Sequence, residues 1–368
     1  MKKNKSLVLK VGSSSLVGED GRVHEDFVNR ISGELKKLKK AGWDVIIVSS
    51  GAIALGRILY KGPLRRSLSQ KQALSAIGQR FLVNLWEAGL SPQGILTSQI
   101  LLTREDFKSR ERMLNFRNIL RELLAMGSIP IINENDALSS SEIRVGDNDT
   151  LGALVAAAAE ASHYVIMSDI DGLYDKNPSL YADGRLIPQV DAITQEIRDM
   201  AGGTGSKVGT GGMVTKLQSA EIVTRAGITM HIVNHHMQDF AAKLMAGSSM
   251  GTEFMAHDTL SPHMHWVGFT SRSAGRLTID EGALQAIRSR KSLLAVGITG
   301  VEGYIKPGDT VEIYGPSGNI VARGLSNFSG SQIFLIMGKQ NSLHAEILQE
   351  EVHSTVVHAN NMILTEEE

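Results

Sequence analysis

The sequence predicts an α/β protein: an open, mostly parallel sheet sandwiched by helices, followed by a small β-rich domain. Three observations predict it. Short, uniformly apolar runs alternate with helical patterns through the first two-thirds of the chain, as strands covered on both faces require. The alternation stops after about residue 250. Beyond it come short strand-like pieces separated by glycine turns, the pattern of a compact barrel. With 368 residues, 42% hydrophobic and 21% charged, the chain is long enough for two domains and apolar enough for a real core.

In order, Leu7 to Val11 reads as a strand, and Phe27, Ile31, Leu35 and Leu38 then share one helix face. The Lys36-Lys37 and Lys39-Lys40 pairs fill the polar face of that helix. Val45 to Val48 is a second strand, followed by a helix stripe of Leu74, Ile77, Phe81, Leu82 and Leu85. Ile129 to Ile132, Tyr164 to Met167 and Thr229 to Val233 are further buried strands. An alanine-rich helix opens at Leu151 and another near Thr215. In the second domain Leu293 to Val296, Thr310 to Tyr314, Ile320 to Arg323 and Ile333 to Ile336 read as strands. The resulting division is a first domain over 1–255, a linker over 256–274, a second domain over 275–353 and a tail over 354–368.

Composition excludes several classes of function. A formal net charge of -1 argues against general affinity for nucleic acid or anionic membrane. The absence of cysteine rules out disulfides and thiolate metal sites, and suits the cytoplasm. Lys10 interrupts the first apolar run too early for a signal peptide, and Leu151 to Ala159 falls well short of a membrane span. His235-His236 and His257, His263 and His265 match no zinc spacing. There is no Gly-Lys-Ser/Thr P-loop and no protein-kinase HRD or DFG pair.

Chemistry gathers where the strands end. They run into Gly12-Ser13-Ser14-Ser15, Ser49-Ser50-Gly51, Asn133-Glu134-Asn135-Asp136 and Ser168-Asp169. In an open parallel sheet these carboxyl ends share one edge, where ligands bind. Residues 209–216, Gly-Thr-Gly-Gly-Met-Val-Thr-Lys, form a glycine-rich loop able to wrap an anion, with Lys216 as a mobile charge. Lys10 sits inside an apolar strand, where an ammonium is costly unless an anion pairs with it. Asp149 and Thr150 stand ahead of a buried helix. Either a helix N-cap or a carboxylate orienting the two lysines fits that position. Asp147 and Asn148 beside them suit the polar groups of an amino acid.

Together these residues resemble the glutamate 5-kinases of the amino acid kinase family. The motifs that carry the likeness are Lys10-Val11-Gly12-Ser13-Ser14, Ser49-Ser50-Gly51-Ala52, Asn133-Glu134-Asn135-Asp136, Gly146-Asp147-Asn148-Asp149, Ser168-Asp169 with Asp171-Gly172-Leu173-Tyr174, and Gly209 to Lys216. Residues 275–353 look like a PUA domain. The chain departs from the family pattern at Ala137, Leu138, Val145 and Ser15. None of these changes removes a charged or amide group.

The resemblance implies an amino acid kinase fold and transfer of the ATP γ-phosphoryl group to the side-chain carboxylate of L-glutamate, with Mg²⁺. It implies that Lys10, Lys216 and Asp149 are catalytic, and that Ser50, Gly51, Asn133, Asp136, Asp147 and Asn148 hold glutamate. Lys10, Gly12, Ser13, Ser168, Asp169, Thr210, Gly211, Gly212, Met213, Val214, Thr215 and Lys216 would hold the nucleotide. It further implies the first step of proline synthesis, inhibition by proline, a homo-oligomer, and a glutamyl phosphate reductase downstream. Two other readings compete: a family kinase with a different acceptor, and an RNA-binding protein built on the C-terminal domain. The second is poorly supported, because 275–353 hold seven Lys and Arg against eight Asp and Glu.

Overall fold

A computed structural model describes residues 5–63, 67–138, 147–178, 180–181, 183–201, 211–256, 273–348 and 354–365. The chain divides into two compact units, one drawn from Met1–Asp106 and Glu111–Thr259, the other from Phe107–Arg110 and Leu260–Glu368. Among the described residues no helix is long and apolar enough to cross a membrane.

The first unit is built on an eight-stranded sheet. Its strands are β1 (Ser6–Val11), β2 (Asp44–Ser49), β3 (Thr97–Leu102), β4 (Ile129–Glu134), β5 (His163–Ser168), β6 (Gln189–Val190), β7 (Thr229–Asn234) and β8 (Thr252–Phe254). They lie in the order β3-β4-β2-β1-β5-β7-β8-β6. Every pairing is parallel except β7 with β8. The helices are α1 (Ser13–Leu16), α2 (Glu25–Lys40), α3 (Ala52–Leu59), α4 (Leu68–Leu90), α5 (Arg104–Lys108), α6 (Arg110–Ala125), α7 (Asp147–Ala159), α8 (Gln195–Met200), α9 (Gly211–Arg225) and α10 (Phe240–Ala246).

Strand alternation sorts the core into two layers. Leu7, Leu9 and Val11 of β1, with Val45, Ile47, Ile129, Ile131, Val165 and Met167, pack against Phe27, Ile31 and Leu35 of α2, Leu82 and Trp86 of α4, and Phe240 of α10. Val8 and Lys10 point the other way, toward the face on which α7 packs. The parallel register places Val11, Ser49, Glu134 and Ser168 at one edge of the sheet.

Two glycines bring α3 and α4 into backbone contact. A Cβ at Gly56 would lie 1.9 Å from the Leu74 carbonyl oxygen, and one at Gly78 would lie 1.9 Å from that of Ala52. Gly51, with φ of 108°, turns β2 into α3 through the left-handed region that glycine tolerates best.

The second unit carries a five-stranded sheet in the order β10-β9-β11-β12-β13. Its strands are β9 (Gly275–Ile279), β10 (Ile298–Gly303), β11 (Thr310–Tyr314), β12 (Ile320–Ser326) and β13 (Val357–Leu364). Only β9 and β11 pair in parallel.

Several expectations are corrected. Ile333 to Ile336, read as a strand, lies in the helix Gly330–Ile336, started by a capping box of Ser329 and Gln332. Ile333 and Ile336 are buried while Phe334 and Leu335 are exposed, which is helical spacing within a continuous apolar run. Leu293 contributes only an isolated bridge to Val357, and Ala295–Gly297 is a 3₁₀ turn. The expected tail supplies β13, which pairs with β12. Ile77, placed on the buried stripe of α4, is exposed. The edge strand β3 was not read from sequence, because Thr97, Ser98 and Gln99 hide its pattern.

Gly56→Ala should lower unfolding free energy by about 1–3 kcal/mol, the usual cost of overpacking where a backbone must shift. Urea denaturation measures this. A change below about 0.5 kcal/mol would show that the α3–α4 contact can yield.

Candidate active site

Asp149 lies in the first turn of α7, and its carboxylate joins two lysines from different elements. Lys10 Nζ from β1 is 2.5 Å from Oδ1. Lys216 Nζ from α9 is 3.2 Å from Oδ2. All three side chains are buried, at 6%, 1% and 7% exposure for Lys10, Asp149 and Lys216. The Thr215 hydroxyl lies 3.1 Å from the same Oδ2. The carboxylate thus bridges the two lysines from the third residue of the helix.

Local sequence explains the placement. The Tyr164 hydroxyl on β5 donates to the Asp149 carbonyl at 2.7 Å. Gly152 makes this possible, since a Cβ there would lie 2.4 Å from that hydroxyl oxygen. Burial, with the Asp149 charge nearby, raises the Tyr164 phenol well above its usual value, so it stays a donor. Lys216 is a helical residue. The run expected as a loop is the start of α9 from Gly211 onward, so its first-turn N–H groups lack helical acceptors and are open to an anion. Thr210 lies outside the described residues, as does the side chain of Asp147.

Burial lowers the Lys10 ammonium from its ordinary value and Lys216 adds to this, while Asp149 opposes both. Burial alone would raise the Asp149 carboxyl, but Lys10 and Lys216 outweigh it and hold it below the usual carboxylate range. A buried ion cluster is weak evidence for stability, since apolar replacements often match it. Within the cluster two cations share one carboxylate, and Asp169 at the end of β5 adds a further negative charge acting on Lys10.

A second polar group lies beside this cluster. Asn148 Nδ2 donates to Ser50 Oγ at 2.9 Å and to Asn133 Oδ1 at 3.0 Å. Asn133 Nδ2 donates to Gln79 Oε1 at 2.7 Å. Asp136 accepts from Ser75 Oγ at 2.8 Å. Two buried atoms here, Asn148 Oδ1 and Gln79 Nε2, have no hydrogen-bond partner among the described residues. An unpaired buried acceptor and donor are costly unless a ligand meets them. Trp86 Nε1 steadies the end of β2 by donating to Ser49 Oγ at 2.9 Å.

Ser75 and Gln79 were missed by sequence reasoning. They lie four residues apart on one face of α4, beside Leu74, Gly78 and Leu82. The available signal was two polar side chains at positions of an otherwise buried helical face.

The remaining expected residues lie as follows. Gly12 and Ser13 follow β1, and a Cβ at Gly12 would sit in ordinary contact, 3.7 Å from the Met167 carbonyl oxygen and 3.8 Å from Lys10 Nζ. At Gly212 a Cβ would come only within 3.8 Å of Lys216 Nζ. Ser168 Oγ donates to Asp169 Oδ1 at 2.9 Å at the end of β5. Gly211, Met213, Val214 and Thr215 lie along the start of α9. Gly51 opens α3.

Asp149→Asn should cost about 3–5 kcal/mol, because it leaves two ammonium groups without their anion. Lys10→Met, which leaves Asp149 paired with Lys216, should cost clearly less. The lowered Asp149 carboxyl contributes stability above its unfolded value near about pH 4, lost as pH falls through the folded value. Denaturation midpoints should therefore fall more steeply below pH 4 in the wild type than in Asp149→Asn.

The profile of the amino acid kinase family matches residues 5–234, and that of the PUA domain matches residues 275–346. Glutamate 5-kinase of Trichlorobacter lovleyi is 42% identical over 361 residues, covering 97% of this chain and 96% of the relative. Glutamate 5-kinase of Caldanaerobacter subterraneus subsp. tengcongensis is 40% identical, covering 98% of each. Among solved structures, carbamate kinase from Giardia lamblia bound to AMP-PNP superposes with a TM-score of 0.51 at 17% identity, over 70% of this chain and 100% of that one, and shares the fold. The chain belongs to the amino acid kinase family, within its glutamate 5-kinases.

Proposed function

We propose that the chain transfers the γ-phosphoryl group of ATP to the side-chain carboxylate of L-glutamate. The observation that carries the assignment of roles is the buried Lys10–Asp149–Lys216 cluster at the sheet edge. Phosphoryl transfer to a carboxylate needs positioning and charge stabilisation more than covalent help. Glutamate is already ionised at neutral pH, so no general base is required. Lys10 and Lys216 neutralise charge growing on the transferred group and on the leaving ADP, and Asp149 fixes their separation. Backbone amides at Gly211 and Gly212, in the first turn of α9, cradle phosphate oxygens, while that of Gly12 donates to the Met167 carbonyl at 3.4 Å.

Ser50, Gly51, Asn133, Asp136, Asp147 and Asn148 take glutamate, with Ser75 and Gln79 behind them. Serine and amide donors suit its carboxylates, and Asp136 suits its ammonium. The unpaired Asn148 Oδ1 and Gln79 Nε2 support a polar acceptor at this place. Ser13, Ser168, Asp169, Thr210, Met213, Val214 and Thr215 complete the nucleotide side.

Mg²⁺, when bound with ATP, would neutralise phosphate charge. Both Asp149 oxygens face lysines. The residues here therefore fit a metal held chiefly by phosphates and water, with the exposed Asp169 carboxylate at the same edge. Entry into proline synthesis, inhibition by proline, a homo-oligomer, hand-over to a glutamyl phosphate reductase and a cytoplasmic location belong to the same proposal.

ADP release with Mg²⁺ should depend on L-glutamate and fall on adding proline. Release equal with and without glutamate would overturn the acceptor. Lys216→Ala should lower kcat at least about 100-fold with far less change in glutamate KM. Asp136→Ala should mainly raise glutamate KM. An ATP-only defect would reverse that assignment.

A further inference from the structure

The histidines at the end of β7 have no role in the reading above, yet they grip the nucleotide side. His235 is buried, and both its backbone N–H and its ring Nδ1 address the Ser168 carbonyl, at 2.8 and 3.0 Å. A carbonyl only accepts, so Nδ1 carries the proton. In the neutral ring Nε2 is then an acceptor. The exposed His236 brings its own Nε2 to 3.1 Å, and in the tautomer that carries a proton there it donates to His235 Nε2 and favours the Nδ1–H form that the Ser168 carbonyl requires. The preceding Asn234 holds the same segment from the other side, donating to Asp171 Oδ1 at 2.9 Å and accepting the His236 N–H at 2.9 Å. Arg30 of α2 anchors the turn by donating to the carbonyls of His235 and Met237. Ser168 in turn orients Asp169.

We propose that His235 is a positioning residue for nucleotide binding: it holds the Ser168–Asp169 strand end in place, and His236 keeps its ring in the donating tautomer. The inference rests on the reading that Ser168 and Asp169 face ATP. It follows the logic by which a ligating group is oriented by the residue behind it. The acceptor residues around Asn148 make no part of this network, so the effect is confined to one substrate.

Calorimetric binding of ATP with Mg²⁺ to the full-length chain, without glutamate, tests this alongside steady-state kinetics. His235→Leu should weaken ATP binding about tenfold, while glutamate KM stays within about twofold. His235→Asn, which offers an amide N–H where Nδ1 stood, should restore most of the affinity. His236→Ala, at an exposed position, should weaken ATP binding about threefold by releasing the tautomer.

Unchanged ATP affinity in His235→Leu, equal losses in the Leu and Asn variants, or parallel weakening of glutamate would each overturn the proposal. Where His235→Leu does not fold, His236→Ala decides, and wild-type ATP affinity in it overturns the idea. A wild type that binds ATP but ignores glutamate defeats the acceptor assignment and leaves this comparison intact. A wild type that does not bind ATP overturns both.

Discussion

The shared carboxylate of Asp149 is the constraint on which the site depends. One anion holds two cations delivered by elements far apart in sequence, a strand and a helix that meet only when the sheet is complete. Neither lysine is tolerable at its depth without that anion, and the anion is costly without at least one of them. The surrounding details serve this arrangement. Tyr164 braces the helix turn that carries Asp149, and Gly152 leaves room for it. Within the cluster two ammonium groups share the one carboxylate.

The neighbouring polar group is fixed differently, by backbone contact. Gly56 and Gly78 let α3 and α4 touch with no side chain between them, so the end of β2 and the face of α4 are held at one separation. Ser50 rides on the first and Ser75 and Gln79 on the second. Electrostatics therefore sets the lysine cluster, and steric contact sets the polar group around Ser50, Ser75 and Gln79. The two meet at Asn148, the neighbour of Asp149.

What could be read from sequence follows the same division. Lys10 was legible because a charge inside an apolar strand demands a partner. Lys216 was legible because glycines precede it, although its helical state was not, since glycines are poor helix formers and read as loop. Asp149 stayed ambiguous because an acidic residue at a helix start is equally a cap. Ser75 and Gln79 gave only a faint signal: their spacing coincides with an apolar stripe, and their partners Asp136 and Asn133 lie far along the chain. Among elements, central strands were plain because both faces are buried, whereas β3, with its polar start, was not. The continuous run from Ile333 to Ile336 carries no period of its own, and β13 is masked by Asn360 and Asn361 in its middle.

The place of β13 bears on how the chain folds during synthesis. The first sheet has all its strands once residue 254 has been made, and can close while the remainder is still being translated. The second cannot. Its outer strand, and the bridge from Leu293 to Val357, wait for a segment that begins at Val357, long after β9 begins at Gly275, so β12, paired with β11 on one side, keeps its outer edge open until β13 arrives. The catalytic half and its appended partner therefore mature on different clocks, and the late one passes through the state more exposed to aggregation.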